Sequence, residues 1–123
     1  MKRIIIHPSE NGAEEKETKG PLKLEELQKL TGAEYVDIII RKIGGREYHI
    51  VVDDMGALKK DRKPVASALD AKEVLFGTII VTRYAYEGDE EGLTPEDIEN
   101  VLAHTYEKPH EKTFMLYCVR TDI

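Results

Sequence analysis

The sequence predicts one α+β domain of about five mostly antiparallel strands and three helices, in the order β-α-β-β-α-β-α-β. Three observations carry that expectation. Two β-rich runs flank Gly44-Gly45, Leu24, Leu27 and Leu30 recur at threes before Gly32, and Thr94-Pro95 opens a segment with apolar residues at helical spacing.

Lys2 to Ile6 reads as a short β-branched strand stopped by Pro8. Ser9 to Gly20 has no large apolar residue and reads as a mobile polar loop. Pro21 to Thr31 is the first helix, with Gly32 suited to the left-handed position beyond its end. Glu25 and Glu26 near its start and Lys29 near its end match the helix dipole.

The runs "EYVDIIIRKI" and "REYHIVVD" meet at two glycines, which supply the positive φ that both central positions of a type I′ turn need. A two-residue loop sets the register: Ile43 faces Arg46, Lys42 faces Glu47, Ile39 faces Ile50, Ile38 faces Val51 and Val36 faces Asp53. The far part of this hairpin is apolar on both faces, which predicts a place inside a sheet covered on both sides.

"LKKDRK" reads as a basic connection and "PVASALDA" as a short helix with Pro64 in its first turn. "EVLFGTIIVTRYAY" is a long strand, with Gly77 marking a bulge or a close backbone approach. An acidic loop follows. "LTPEDIENVLAHTYE" is the third helix, with Thr94 as N-cap, Pro95 at N1 and Asp97 at N3, then Ile98, Val101, Leu102 and Tyr106. "TFMLYCV" closes the chain as an apolar strand, central in a sheet or at an interface.

At 123 residues the chain suits a single domain spanning 1–123. Its 24 acidic against 18 basic residues leave a net charge of −6, which argues against a general nucleic-acid binder. Cys118 is the one cysteine, so no intrachain disulfide forms, and a buried, inert thiol in a reducing cytoplasm is expected. Three isoleucines after Lys2-Arg3 fall short of a signal peptide, and no run approaches the roughly 20 apolar residues of a membrane span.

The stretch "VVDDMG" holds adjacent carboxylates. Asp53 and Asp54 end a strand, where paired carboxylates can hold a metal or serve as acid and base. The plainer reading is a turn, with Asp54 bonding its own backbone and Gly56 supplying a positive φ. Lys59, Lys60, Arg62 and Lys63 follow directly and form a basic segment suited to an anionic partner, or else a solvated loop. The acidic stretch Glu87 to Asp97 fails as a calcium loop, because Ile98 stands where the bidentate glutamate belongs. Its acidity also suits competition for a basic partner protein. His49 and Asp53 share one face of their strand by alternation. No nucleophile motif, phosphate loop or metal-ligand spacing is present, so no catalytic residue, metal ligand or cofactor is assigned.

With the elements placed, "LKLEELQKLTGAEYVDIII", "YHIVVDDMGALK", "PVASAL", "FGTIIVT" and "LTPEDIENVL" together resemble the domain of unknown function 3846 family. The resemblance covers Leu22 to Leu102 and rests on the order of the parts. "KKDRKPVAS" lacks an asparagine that family members often carry. The resemblance implies a small accessory protein of phages, prophages or conjugative elements, acting in a bacterial cytoplasm, with no established activity to transfer. The expectation is therefore a non-enzymatic protein that binds or modulates a host or element-encoded partner, with homo-oligomer contact possible through the closing strand. Alternatives are a nucleic-acid-binding accessory protein using Lys59 to Lys63, and a small metal-dependent enzyme at Asp53 and Asp54.

Overall fold

The computed structural model describes residues 1–9, 12–68, 73–110 and 114–122. Its described residues form nine strands, two α-helices and a 3-10 turn. The strands are β1 Lys2–Ile6, β2 Ala13–Glu17, β3 Val36–Ile43, β4 Arg46–Asp53, β5 Pro64–Ala68, β6 Val74–Phe76, β7 Ile79–Thr82, β8 Thr105–His110 and β9 Phe114–Thr121. The helices are α1 Leu24–Thr31 and α2 Pro95–Ala103, and the 3-10 turn is Gly56–Leu58. The α+β class holds, but the expected five strands and three helices are corrected to nine strands in two sheets with two helices.

One sheet has the order β2-β1-β7-β4-β3 and the other β6-β5-β9-β8. Every pairing is antiparallel except β5 with β9. Alternation sorts the five-stranded sheet cleanly. Ile4, Ile6, Tyr48, Ile50, Ile79 and Val81 face the second sheet and α2, joining Val65, Val119, Ile98 and Val101 in the larger core. Ile5, Val51 and Ile80 face the other way and are covered by Leu22, Leu27 and Leu30 at and before α1. Burial of this kind contributes about 25 cal/mol per Å² of apolar surface, and the five-stranded sheet has it on both faces.

The hairpin register is as expected: Ile43 pairs with Arg46, Lys42 with Glu47, Ile39 with Ile50, Ile38 with Val51 and Val36 with Asp53. Gly44 and Gly45 take φ of 58° and 81°. The setting differs, because β3 is an edge strand. On its inner face Ile43 is buried and Ile39 packs against the larger core, while Ile38 and Ile40 on the α1 face stay 42% and 53% exposed.

Four other expectations change. The polar loop contains β2, a charged edge strand held to β1 with Lys2 paired to Glu15 at 3.1 Å. Pro64–Ala68 is a strand, the parallel partner of β9, where the small side chain of Ala66 is buried against the core. Residues 69–71 of the expected helix lie outside the described residues, as do Glu10, Asn11 and Thr113. The long strand breaks at Gly77 (φ 81°), sending β6 to one sheet and β7 to the other. The last helix ends at Ala103, and Thr105 onward turns back as β8 against β9. The closing strand is central, hydrogen-bonded to β5 on one side and β8 on the other.

Among the described residues, no helix is long and apolar enough to cross a membrane.

Candidate functional site

The turn after β4 brings three of the six expected site residues, Asp53, Lys59 and Arg62, together on a buried carboxylate. Asp53 is buried. Its Oδ1 accepts the Met55 amide at 3.0 Å, and its Oδ2 accepts Lys59 Nζ at 2.7 Å and lies 3.4 Å from Arg62 Nη2. Burial works to raise this carboxyl, but the Lys59 hydrogen bond, the Met55 amide and the two cationic charges outweigh it and hold it below the usual carboxylate range. Asp54 is exposed, with its amide bonded to Tyr35 O at 3.0 Å. One carboxylate is thus buried among cations and the other lies at the surface.

Arg62 reaches further. Its guanidinium donates to the carbonyls of Thr31 and Gly32 at 3.3 and 3.0 Å, closing the C-terminal end of α1. Gly32 and Gly77 leave room for it, since a Cβ on either would stand 3.1 Å from a guanidinium nitrogen. Lys63 lies over the Phe114 ring at 4.0 Å, beside an open groove of about 600 Å³ walled partly by Ala13, Met115 and Tyr117. Of the four expected cations, Lys59, Arg62 and Lys63 are engaged inside the fold and Lys60 is exposed. The segment works as a strap from β4 to α1.

Two further hubs escaped the sequence reading. Arg3 and Glu90 form a fully buried pair, with Nε and Nη2 each 2.8 Å from a carboxylate oxygen. Glu90 also accepts the Leu22 amide at 3.0 Å and the Thr82 hydroxyl at 2.5 Å. Burial pushes this carboxyl upward, but Arg3, Thr82 and the Leu22 amide reverse the direction and hold it low. Asp97 is the capping-box residue of α2, accepting the Thr94 amide and hydroxyl at 3.1 and 2.9 Å. It also accepts Arg83 at 2.8 Å, and Arg46 and the Tyr48 hydroxyl each at 3.2 Å. Burial again works upward on it, and the Thr94 bonds and the charges of Arg83 and Arg46 hold it low. The acidic stretch thus divides: Glu90 and Asp97 serve separate interior networks, and Glu96 pairs with Arg46 at the surface. Arg3 was detectable in principle, because alternation places it on the same face as buried Ile5.

His49 does not approach Asp53 as a pair. Its Nδ1 accepts the Tyr84 amide at 3.1 Å, and its ring meets Tyr84 edge-on at 5.5 Å between centroids. Cys118 is buried, which pushes its thiol up and away from reactivity. Among the described residues, no group of three or more His, Cys, Asp or Glu side chains is placed to hold a metal ion.

The open chemistry lies at the β3 edge. Asp54 N bonds Tyr35 O, and in the hairpin register this turns the odd residues of β3 toward β4. The even residues, Val36 to Lys42, therefore direct their amides and carbonyls outward. Lys42 O accepts Asp122 N at 2.7 Å, which confirms that direction. Two outward groups are covered by neighbouring side chains: Ile38 N donates to Asp37 Oδ1 at 2.9 Å, and Ile40 O accepts Arg41 Nη1 at 2.7 Å. The rest of the Arg41 guanidinium grips Glu73, with Nε 2.6 Å from Oε2 and Nη2 on Oε1. The other three edges are unsuited to pairing. β2 is charged, β6 is three residues long, and β8 carries Pro109.

A family model described as "Domain of unknown function (DUF3846)" matches residues 1–107. The match extends beyond the segment on which the resemblance rested, taking in β1, β2 and the start of β8. Comparison with curated proteins and with solved structures gave no match.

Proposed function

The chain belongs to the DUF3846 family, and from that premise we propose that it is a non-enzymatic binding protein of phage or mobile-element origin, acting in a bacterial cytoplasm on a protein partner. One observation carries the reading: β3 is an eight-residue edge strand with three consecutive isoleucines, while the other sheet edges are charged, short or interrupted by proline. An edge of this kind accepts an added strand, whose backbone supplies affinity and whose side chains meet Ile38 and Ile40. The engaged carboxylates favour the same reading. Asp53, Glu90 and Asp97 are each held ionised by cations and hydrogen-bond donors, which suits joints in a scaffold better than a general acid or base.

The test is capture of protein partners on immobilised wild-type chain beside an Ile38→Lys variant. Ile38 is partly exposed, so the substitution leaves the core intact and places on the edge the residue that natural edge strands use to block pairing. The expected outcome is a protein retained by wild type and lost from the variant, with the two melting at similar temperatures. Equal retention by both removes β3 as the contact surface.

A further inference from the structure

We infer that the occupant of the β3 edge is a second copy of the same edge, paired antiparallel about a two-fold axis through Ile39. This rests on the reading of β3 as the contact surface and names the partner. The register follows from the strand's own sequence. Pairing β3 with itself about Ile39 sets Ile38 opposite Ile40 of the other copy, and Asp37 opposite Arg41 of the other copy, each twice.

The backbone geometry admits this register. Ile38 and Ile40 both direct their amides and carbonyls outward, so they form the hydrogen-bonded pairs, four bonds in all. Asp37 and Arg41 then occupy the closer, non-hydrogen-bonded pairs, where opposite charges stabilise a sheet. On the α1 face, four half-exposed isoleucine side chains come together and leave water.

The side-chain bonds that cover the edge exchange without loss. Ile38 N leaves Asp37 Oδ1 and donates to Ile40 O across the axis. Arg41 Nη1 leaves Ile40 O and donates to the freed Asp37 carboxylate across the axis. Arg41 keeps its two bonds to Glu73, because those use Nε and Nη2. Ile40 N and Ile38 O gain partners. Asp122, bonded to Lys42 O and to the amides of Gly44 and Gly45, marks one end of the paired stretch. Shifting the axis by one residue to Ile38 or Ile40 loses the Asp37–Arg41 match, so charge selects one register.

The test is sedimentation equilibrium of the full chain over a range of concentrations. Wild type is expected to form a dimer. Asp37→Arg places arginine opposite arginine twice, and Arg41→Asp places aspartate opposite aspartate twice. Each single variant is expected to weaken the dimer roughly 10-fold or more. The double variant restores it, and an equimolar mixture of the two single variants forms a heterodimer. Asp37→Arg leaves the Arg41–Glu73 pair untouched, so its result does not depend on that contact. A wild-type chain that stays monomeric overturns the inference, as does a dimer indifferent to both charge reversals. A monomeric chain that still loses a captured protein on Ile38→Lys overturns self-pairing alone and leaves the binding reading standing.

Discussion

Replacing Glu90 with glutamine leaves the Arg3 guanidinium buried beside a neutral amide. Breaking a buried ion pair from one side costs about 3–5 kcal/mol, because the remaining charge has no water to return to. Glu90→Gln is therefore expected to lower the urea-unfolding free energy by about 3 kcal/mol. The pair Arg3→Met with Glu90→Leu removes both charges and should lose less than the single change, even though the Leu22 amide and Thr82 hydroxyl give up their acceptor. A single variant costing under about 1 kcal/mol would show that the pair is solvated. At this scale the sequence was only partly legible. "DDMG" was readable as a turn, but it is Asp53 and not Asp54 that bonds the amide two residues on, and Gly56 opens a 3-10 turn without taking a positive φ. That Lys59 and Arg62 fold back onto Asp53 was not readable, because a run of cations looks the same whether it faces water or a carboxylate.

Elements with a local cause were legible. Thr94, Pro95 and Asp97 start α2 as capping chemistry requires, and the glycine pair set the hairpin register residue by residue. The turn's packing gives a sharper expectation. A Cβ on Gly44 would stand 2.4 Å from Asn100 Oδ1 and 2.6 Å from His104 Cε1, while one on Gly45 meets nothing within 4 Å. Both positions have positive φ, so alanine costs roughly 1 kcal/mol of backbone strain at either. At Gly44 it also displaces Asn100, whose amide bonds Ile43 O and the Tyr48 hydroxyl at 2.8 and 2.9 Å. Gly44→Ala should therefore destabilise by about 1–2 kcal/mol more than Gly45→Ala in thermal or urea melts. Equal losses would mean that the end of α2 does not bear on the hairpin. Elements made by distant pairing were not legible. "AEEKE" has no strand-forming residue and is a strand because β1 lies beside it. "PVASA" has helical alanines and is a strand because it lies beside β9 in a parallel pairing.

Across the whole molecule, Asp53, Glu90 and Asp97 sit at three separate joints. They tie the strap to β4 and α1, the acidic loop to β1 and β7, and α2 to β4 and β7. All three carboxyls are held below their ordinary values of 3.8, 4.5 and 3.8. The unfolded chain therefore binds protons at a higher pH than the folded chain. Their contribution is complete above the ordinary values and is lost as pH falls through the lowered ones. Stability should accordingly change little between about pH 8 and 5 and drop below about pH 4. Glu90→Asn should flatten that acid limb in urea melts taken against pH; an unchanged limb would place the protons elsewhere. The hairpin register, Gly32 at the end of α1 and Thr94 at the start of α2 followed from the residues in order, because each depends on interactions within a few positions along the chain. The division into two sheets, the central place of β9, the inward turn of the basic segment and the exposure of the β3 edge followed from tertiary structure alone. Those depend on which distant segment fills each hydrogen-bonding edge, and side-chain pattern carries no record of the neighbour. "IVVDDMGALKK" shows both halves: its turn is written locally, and its role as a strap exists only once α1 lies beside it.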